Sequence, residues 1–119
     1  MKRIVPFSLA VVSFGMLLTA CGGTHGLRDN VPKLSSHTDK SVTAYAECAS
    51  GKWKVLAPAV SVTNKDGAAS ISATGDKDGA RELLDVTPDA TGAQVVMYED
   101  QNAKKDYDVH YREEANGCL

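Results

Sequence analysis

The chain has 119 residues, 43% of them hydrophobic, and carries 13 lysines and arginines against 15 aspartates and glutamates. This length supports one small domain and excludes a multidomain enzyme. The net charge of −2 argues against a protein that binds nucleic acid or anionic lipid head groups through a basic surface.

The first twenty residues have the composition of an export signal. Met1-Lys2-Arg3 is positively charged, and an apolar run from Ile4 to Leu18 follows it. The run has 15 residues and contains Pro6, whereas roughly 20 are needed to span a bilayer. A basic start, an apolar centre and small residues before a cleavage site are typical of secretory signal peptides.

The tetrapeptide Leu18-Thr19-Ala20-Cys21 ends this segment. It resembles the lipobox of bacterial lipoproteins, and the alternative is an ordinary signal peptide with an incidental cysteine. The resemblance implies cleavage before Cys21, which would carry a diacylglyceryl group and an N-acyl chain such as palmitate. Several acyl chains hold a protein firmly on a membrane. Gly22 follows in place of aspartate, which in enteric-type bacteria implies an outer-membrane lipoprotein, here with its domain facing the periplasm. Many small lipoproteins of this layout have no assigned function.

Export also determines how the cysteines are interpreted. Removing residues 1–20 leaves 99 residues and takes the net charge from −2 to −4, because Lys2 and Arg3 are lost. With Cys21 acylated, Cys48 and Cys118 remain in an oxidising compartment, which favours one disulfide between them. A reactive or metal-binding pair is the alternative, although neither cysteine lies in a Cys-x-x-Cys motif or beside a histidine.

Three segments are predicted: a signal peptide at 1–20, a lipidated flexible tether at 21–37 and a globular domain at 38–119. The tether is rich in turn-forming residues and includes His25 and His37, which are poor candidates for ligands in a solvated segment. From Thr38 to Gly51, apolar residues recur with helical spacing, so we expect a helix that Gly51 ends.

Four short strands are expected to follow as an antiparallel meander. Val60 and Val62 alternate in a run that Pro58 interrupts, and Asn64-Lys65-Asp66-Gly67 predicts a hairpin turn. The next strand is centred on Ile71 and ends at the turn 75–79. The most apolar strands, 81–87 and 94–99, are joined by the turn 88–92.

The tail allows two interpretations. Tyr107, Val109 and Tyr111 alternate as in a strand, but the spacing of Tyr107, Tyr111, Ala115 and Cys118 fits a helix, which we prefer. The predicted fold is therefore α+β, with an N-terminal helix, a four-stranded meander, a C-terminal helix and one disulfide. The helices are expected to cover one sheet face and to bury Val42, Tyr45, Val62, Ile71, Leu84, Val86, Val96 and Tyr111.

No catalytic or metal site is predicted, and no cofactor. Asp76-Lys77-Asp78-Gly79 looks like part of a calcium loop, but it lacks the further ligands and is explained by a turn. Asp106, Asp108 and His110 would share a face only on a strand. His110 is the one histidine outside the predicted tether, and no nucleophile motif accompanies it. The chain is accordingly predicted not to be an enzyme.

The layout is also similar to that of the membrane-bound lysozyme inhibitors, which share a Tyr-x-x-Cys motif, a β-rich middle and a C-terminal cysteine. Their Ser-Gly-x-x-Tyr motif has its nearest counterpart in Thr91-Gly92-Ala93-Gln94-Val95. The sequence therefore predicts a non-enzymatic interaction, adaptor or immunity-type module, anchored in the outer membrane, with an envelope protein as its partner. The alternative is an inhibitor of a periplasmic muralytic enzyme.

Overall fold

The computed structural model describes residues 26–57, 59–74, 80–100 and 105–119. They form one antiparallel sheet of five strands in the order β1-β5-β4-β3-β2, with two α-helices. The elements are β1 Leu34–Thr38, α1 Val42–Leu56, β2 Ala59–Lys65, β3 Ala68–Thr74, β4 Ala80–Asp89, β5 Gly92–Glu99 and α2 Lys105–Gly117, preceded by a 3-10 turn at Leu27–Asp29. The α+β class is confirmed, whereas the predicted count of four strands, with a helix as the first element, is wrong.

Strand β1 is the additional element, and it lies within the segment predicted to be a flexible tether. It pairs with β5 from Leu34 opposite Met97 to Thr38 opposite Ala93. The 3-10 turn before it also packs against β4 and β5. The described fold therefore begins earlier along the chain than residue 38, at least at Leu27.

Helix α1 begins and ends later than the sequence predicts. Ser41 caps it, its Oγ accepting a hydrogen bond from the Ala44 amide at 3.1 Å. The helix continues through Gly51 to Leu56 and ends at Ala57, which is extended as expected for a residue preceding proline. Trp53 in the last turns is fully buried, and this burial outweighs the roughly 1 kcal/mol that an interior glycine costs a helix.

The β2–β3 hairpin confirms the predicted turn. Asp66 and Gly67 form a two-residue connection with φ angles of 52° and 80°, as a type I′ turn requires. The turn between β4 and β5 also falls within its predicted segment. Pro58 and the predicted turn at 75–79 lie outside the described residues.

The two helices cover one face of the sheet, which we call the core face. Of the eight predicted core residues, five are buried: Tyr45, Ile71, Leu84, Val86 and Tyr111. Val42 packs at the margin of the core. Val62 and Val96 correct the prediction, because Val62 lies on edge strand β2, where it is 39% exposed, and Val96 pairs with Asp85 on the opposite face.

Helix α2 confirms the helical interpretation of the tail, and the disulfide attaches its end to α1. The Cys48–Cys118 bridge joins Cα atoms 5.9 Å apart. The Tyr45 hydroxyl donates to the Ala115 carbonyl at 2.8 Å, and Trp53 Nε1 donates to the Tyr111 carbonyl at 3.1 Å. These contacts fix both helices on the core face and leave the other face of the sheet uncovered by either helix.

Candidate functional site

The face of the sheet opposite the helices, which we call the outer face, is the main candidate surface. The strand register places on it a set that is mostly polar: Ser35, His37, Ser61, Thr63, Lys65, Ser70, Ser72, Leu83, Asp85, Thr87, Gln94, Val96 and Tyr98. Hydroxyl side chains follow one another across β2 and β3, where Ser61 and Ser72 are hydrogen-bonded at 2.9 Å. The alternation of Ala69, Ile71 and Ala73 with serine and threonine in the sequence is the signal for this two-faced sheet.

The 3-10 turn at Leu27–Asp29 attaches to the outer face through Arg28. Arg28 Nε lies 2.7 Å from Asp85 Oδ2, and Nη2 donates to Asp85 Oδ1 at 2.8 Å and to Ser70 Oγ at 3.2 Å. Ser70 Oγ in turn donates to Asp85 Oδ1 at 2.8 Å. A forked guanidinium on a carboxylate gives both charge neutralisation and defined geometry.

Burial and hydrogen bonding act in opposite directions on Asp85. Burial raises the pKa of its carboxyl, but hydrogen bonds from Arg28 and Ser70, together with the charge of Arg28, outweigh burial and hold the pKa below its usual value. The hydrogen bond to Asp85 likewise raises the pKa of Arg28. Both groups are therefore charged at neutral pH, and they form a fixed ion pair on the outer face.

A groove of about 470 Å³ lies beside this ion pair. Its walls combine the charged groups of Arg28 and Lys65, the apolar Leu83, and the hydroxyls of Thr63, Ser70 and Ser72. Leu83 is 8% exposed, although it lies outside the main core cluster. The groove offers hydrogen-bond donors and acceptors around a small apolar floor, a combination that suits contact with a protein surface or a polar ligand.

A second cluster of hydrogen-bonded polar side chains, which the sequence does not predict, lies at the β4–β5 turn. His37 Nε2 lies 2.9 Å from Thr91 Oγ1 and 3.3 Å from Asp89 Oδ1, and Asp89 Oδ2 accepts from Gln94 Nε2 at 3.2 Å. The sequence places His37 in the predicted tether because its neighbours show no periodicity, yet it lies on β1. Ser35 and His37 are alternate residues that both point outward, and this spacing is the sequence signal that could have predicted a strand at His37.

This cluster is better suited to holding the turn than to catalysis. The Thr91 hydroxyl and Asp89 share the same nitrogen of His37, whereas a nucleophile–base–carboxylate relay needs the acid on the other nitrogen. The other nitrogen lies 3.7 Å from Asp39, whose side chain is 98% exposed. Asp89 also accepts from the Thr91 amide at 2.9 Å, and this bond is the main cause that lowers the pKa of Asp89.

Two buried glutamates on the core face are a further feature that the sequence does not predict. Glu82 and Glu99 are cross-strand neighbours, 0% and 2% exposed. Arg112 of α2 approaches Glu99 Oε1 with its Nε at 2.8 Å, as a close ion pair whose geometry is not that of an aligned hydrogen bond. Glu82 is spaced two residues from Leu84 and four from Val86, so the period of a strand puts it on the same, buried face. The ion pair connects α2 to the sheet.

Among the other candidate residues of the sequence, the structure describes the side chain of His110. His110 is exposed on α2 and lies 3.8 Å from Glu113. Asp106 and Asp108 belong to the same helix, but their side chains lie outside the described part of the structure, as do Asp76–Gly79 and Cys21. Among the described residues, no group of three histidines, cysteines or acidic residues could hold a metal ion.

The counterpart of the lysozyme-inhibitor motif forms the β4–β5 turn and the start of β5. Val95, which takes the place of the motif's tyrosine, is fully buried in the core. Gly92 has φ of +154°, and a Cβ there would lie 2.0 Å from the Thr38 carbonyl oxygen. This glycine is thus explained by the close approach of β1. Thr91 and Gln94 of this segment are exposed, whereas Ala93 and Val95 are buried.

Comparisons with protein-family models, with curated proteins and with solved structures found no significant match. Neither helix in the described residues has the length and apolar character needed to cross a membrane.

Proposed function

We propose that the chain is a non-enzymatic interaction module of the bacterial cell envelope. Its acylated Cys21 holds it in the outer membrane, with the domain in the periplasm, and its outer face binds an envelope protein. The observation that carries this proposal is the outer face itself. It is a sheet surface left uncovered by both helices, with a groove beside the fixed Arg28–Asp85 pair.

The position of the 3-10 turn limits how far the domain extends from its anchor. Arg28 binds Asp85 and Ser70, so the chain reaches the domain on the outer face. Five residue steps separate Cys21 from Gly26, and an extended chain covers at most about 3.6 Å per residue. The point at which the chain joins the domain therefore lies within about 18 Å of the acylated cysteine, and this proposal puts the outer face on the anchored side.

The short distance between the anchor and the domain indicates which class of partner the outer face would meet. A surface held close to a membrane meets membrane proteins and other lipid-anchored proteins before it meets soluble ones. Charges on the outer face are balanced, with Arg28 and Lys65 accompanied by Asp85 and Asp89. This balance disfavours docking on anionic lipid head groups, which calls for a clear excess of cations. A membrane-proximal protein partner fits both observations.

Site-specific photo-crosslinking in cells that express the full chain tests the proposal. A photoreactive phenylalanine analogue at Ser72 in the groove should give one discrete adduct, of a mass different from twice the chain. The matched control is the same analogue at Glu47, which is exposed on α1. Arg28→Ala should reduce the Ser72 adduct, because it removes the ion pair that shapes the groove. Equal adducts at both positions, or none at Ser72, would refute the assignment of this surface.

The anchor is tested separately. Cells fed an alkyne-labelled fatty acid should label the wild-type chain and leave Cys21→Ser unlabelled. Persistent labelling of Cys21→Ser would refute the lipobox interpretation and would leave the outer-face assignment to stand on the crosslinks.

A further inference from the structure

The two edges of the sheet differ in how well they are protected against pairing with another strand. Edge strand β1 has five residues, and its groove against α2 is lined in part by Lys33, Arg112 and Glu113. Edge strand β2 has seven residues, Ala59–Lys65, six of them exposed, and within the described chain it pairs only with β3. Its outward backbone groups are therefore available for a further strand.

Apart from the charge of Lys65 at its end, strand β2 also lacks the usual features that block edge pairing. Such features include charged side chains on the edge, proline within the strand, a bulge or very short length. From Ala59 to Asn64 the strand has no charged residue and no proline, and it pairs regularly with β3 over its full length. The irregularity in the sheet lies elsewhere, between β3 and β4 at Ala73/Thr74.

We propose that β2 pairs antiparallel with β2 of a second copy, around a two-fold axis at Ser61. In this register Ser61 lies opposite itself, Val60 lies opposite Val62, and Ala59 lies opposite Thr63. Valine meets valine on the core face, and small or hydroxyl side chains meet on the outer face, so no like charges oppose each other. The self-complementary sequence of β2 is what selects a second copy as the occupant.

A register shifted by one residue is less favourable. With Val62 opposite itself, Val60 would lie opposite Asn64, which places an amide against an apolar side chain at a desolvated position. The Ser61-centred register instead gives both valines a valine partner. It also covers Val62, which is 39% exposed and is one of four large hydrophobic residues exposed in the described chain.

The helices leave room for this arrangement. Pairing in one continuous sheet puts both α1 helices on the same face, and α1 packs chiefly over β3, with flanking contacts to β2 and β4. The two β3 strands would be three strand spacings apart, about 14 Å at the usual 4.7–4.9 Å. Helices in direct contact lie 8–10 Å apart, so the two α1 helices do not collide.

Cysteine crosslinking of the full chain in isolated membranes tests the pairing. In Ser61→Cys the two new thiols face each other across the axis, where opposed Cβ atoms of paired strands are about 4.5–5.5 Å apart, close enough for a disulfide after small adjustment. Mild oxidation should give a band of twice the chain mass on a non-reducing gel, and reductant should remove it. The matched control is Ser35→Cys, an exposed outer-face serine on the opposite edge strand, which should remain monomeric, as should the wild type.

A second variant separates pairing from random collision. Val62→Lys in the Ser61→Cys background places a charge at the half-exposed edge position and should lower the dimer band at least tenfold. Retained far-ultraviolet circular dichroism would show that the fold survives. The dimer is overturned if Ser61→Cys gives no such band, if Val62→Lys leaves it unchanged, or if Ser35→Cys crosslinks equally. A disulfide adduct of the Ser61→Cys variant with any other mass also overturns it, in favour of a foreign strand. None of these outcomes depends on the Ser72 photo-adduct.

Discussion

The disulfide is expected to supply a large part of the stability of the domain. Its cysteines are 70 residues apart, so the bridge closes most of the domain into one loop. The chain-entropy relation gives about 15 cal/mol/K for such a loop, or about 4 kcal/mol at 25 °C. Small domains have a total unfolding free energy of about 5–15 kcal/mol. Replacing Cys48 and Cys118 by serine should therefore leave the protein close to unfolding.

The measurement is urea unfolding followed by fluorescence of Trp53, the only tryptophan. A Cys21→Ser background leaves Cys48 and Cys118 as the only cysteines. With a slope of about 1–3 kcal/mol/M, the midpoint should fall by roughly 1.5–4 M. Either single substitution should cost nearly as much as both, because the bridge acts as one unit. A loss below about 1 kcal/mol would refute the reasoning and would show that the Tyr45 and Trp53 contacts hold α2 without the bridge.

Four other substitutions test the fold by the same urea assay. Gly92→Ala should cost at least about 2 kcal/mol, because its Cβ would lie 2.0 Å from the Thr38 carbonyl. Gly51→Ala, whose Cβ meets open space, should stabilise α1 by about 0.4–1 kcal/mol. Tyr45→Phe should cost about 1 kcal/mol by removing the buried bond to α2. The pKa of Asp85 is lower in the folded state than in the unfolded state, where it is about 3.9. The Asp85 carboxylate therefore adds to the free energy of unfolding above that pH, and this contribution is lost as the pH falls through the folded pKa. Asp85→Asn should therefore flatten the decline of the urea midpoint as the solution is acidified below about pH 5. An unchanged acid decline would count against the ion pair, and a stable Gly92→Ala would count against the close approach of β1.

Elements with strong local signals were predicted from the sequence. The Asp66-Gly67 turn follows from residues that tolerate positive φ, and α2 follows from the spacing of Tyr111, Ala115 and Cys118. The disulfide follows from the cysteine count and the expected oxidising compartment. In the turn and the helix, a few neighbouring residues determine the local structure. In the disulfide, two cysteines allow only one intramolecular pairing.

The errors have a different physical origin, because non-local pairing decided them. Strand β1 has little apolar character of its own, and it forms because its backbone completes the ladder of β5, some sixty residues further along the chain. The run Val95-Val96-Met97 is apolar on both faces, so only the pairing with β4 determines that Val96 points outward. Gly51 has a low helix propensity, but the burial of Trp53 keeps the helix intact.

The docked 3-10 turn at Leu27–Asp29 relates the proposed dimer to the proposed anchor. In a continuous sheet the two-fold axis is perpendicular to the sheet, so the outer faces of both copies point the same way. Arg28 of each copy binds that face, and both chains therefore enter their domains from the same side. Two acyl anchors can then insert into one membrane. A face-to-face dimer through the outer faces would instead cover both grooves and bring the two Arg28–Asp85 pairs together. Pairing through β2 is consequently a symmetric arrangement that leaves both the anchors and the grooves accessible.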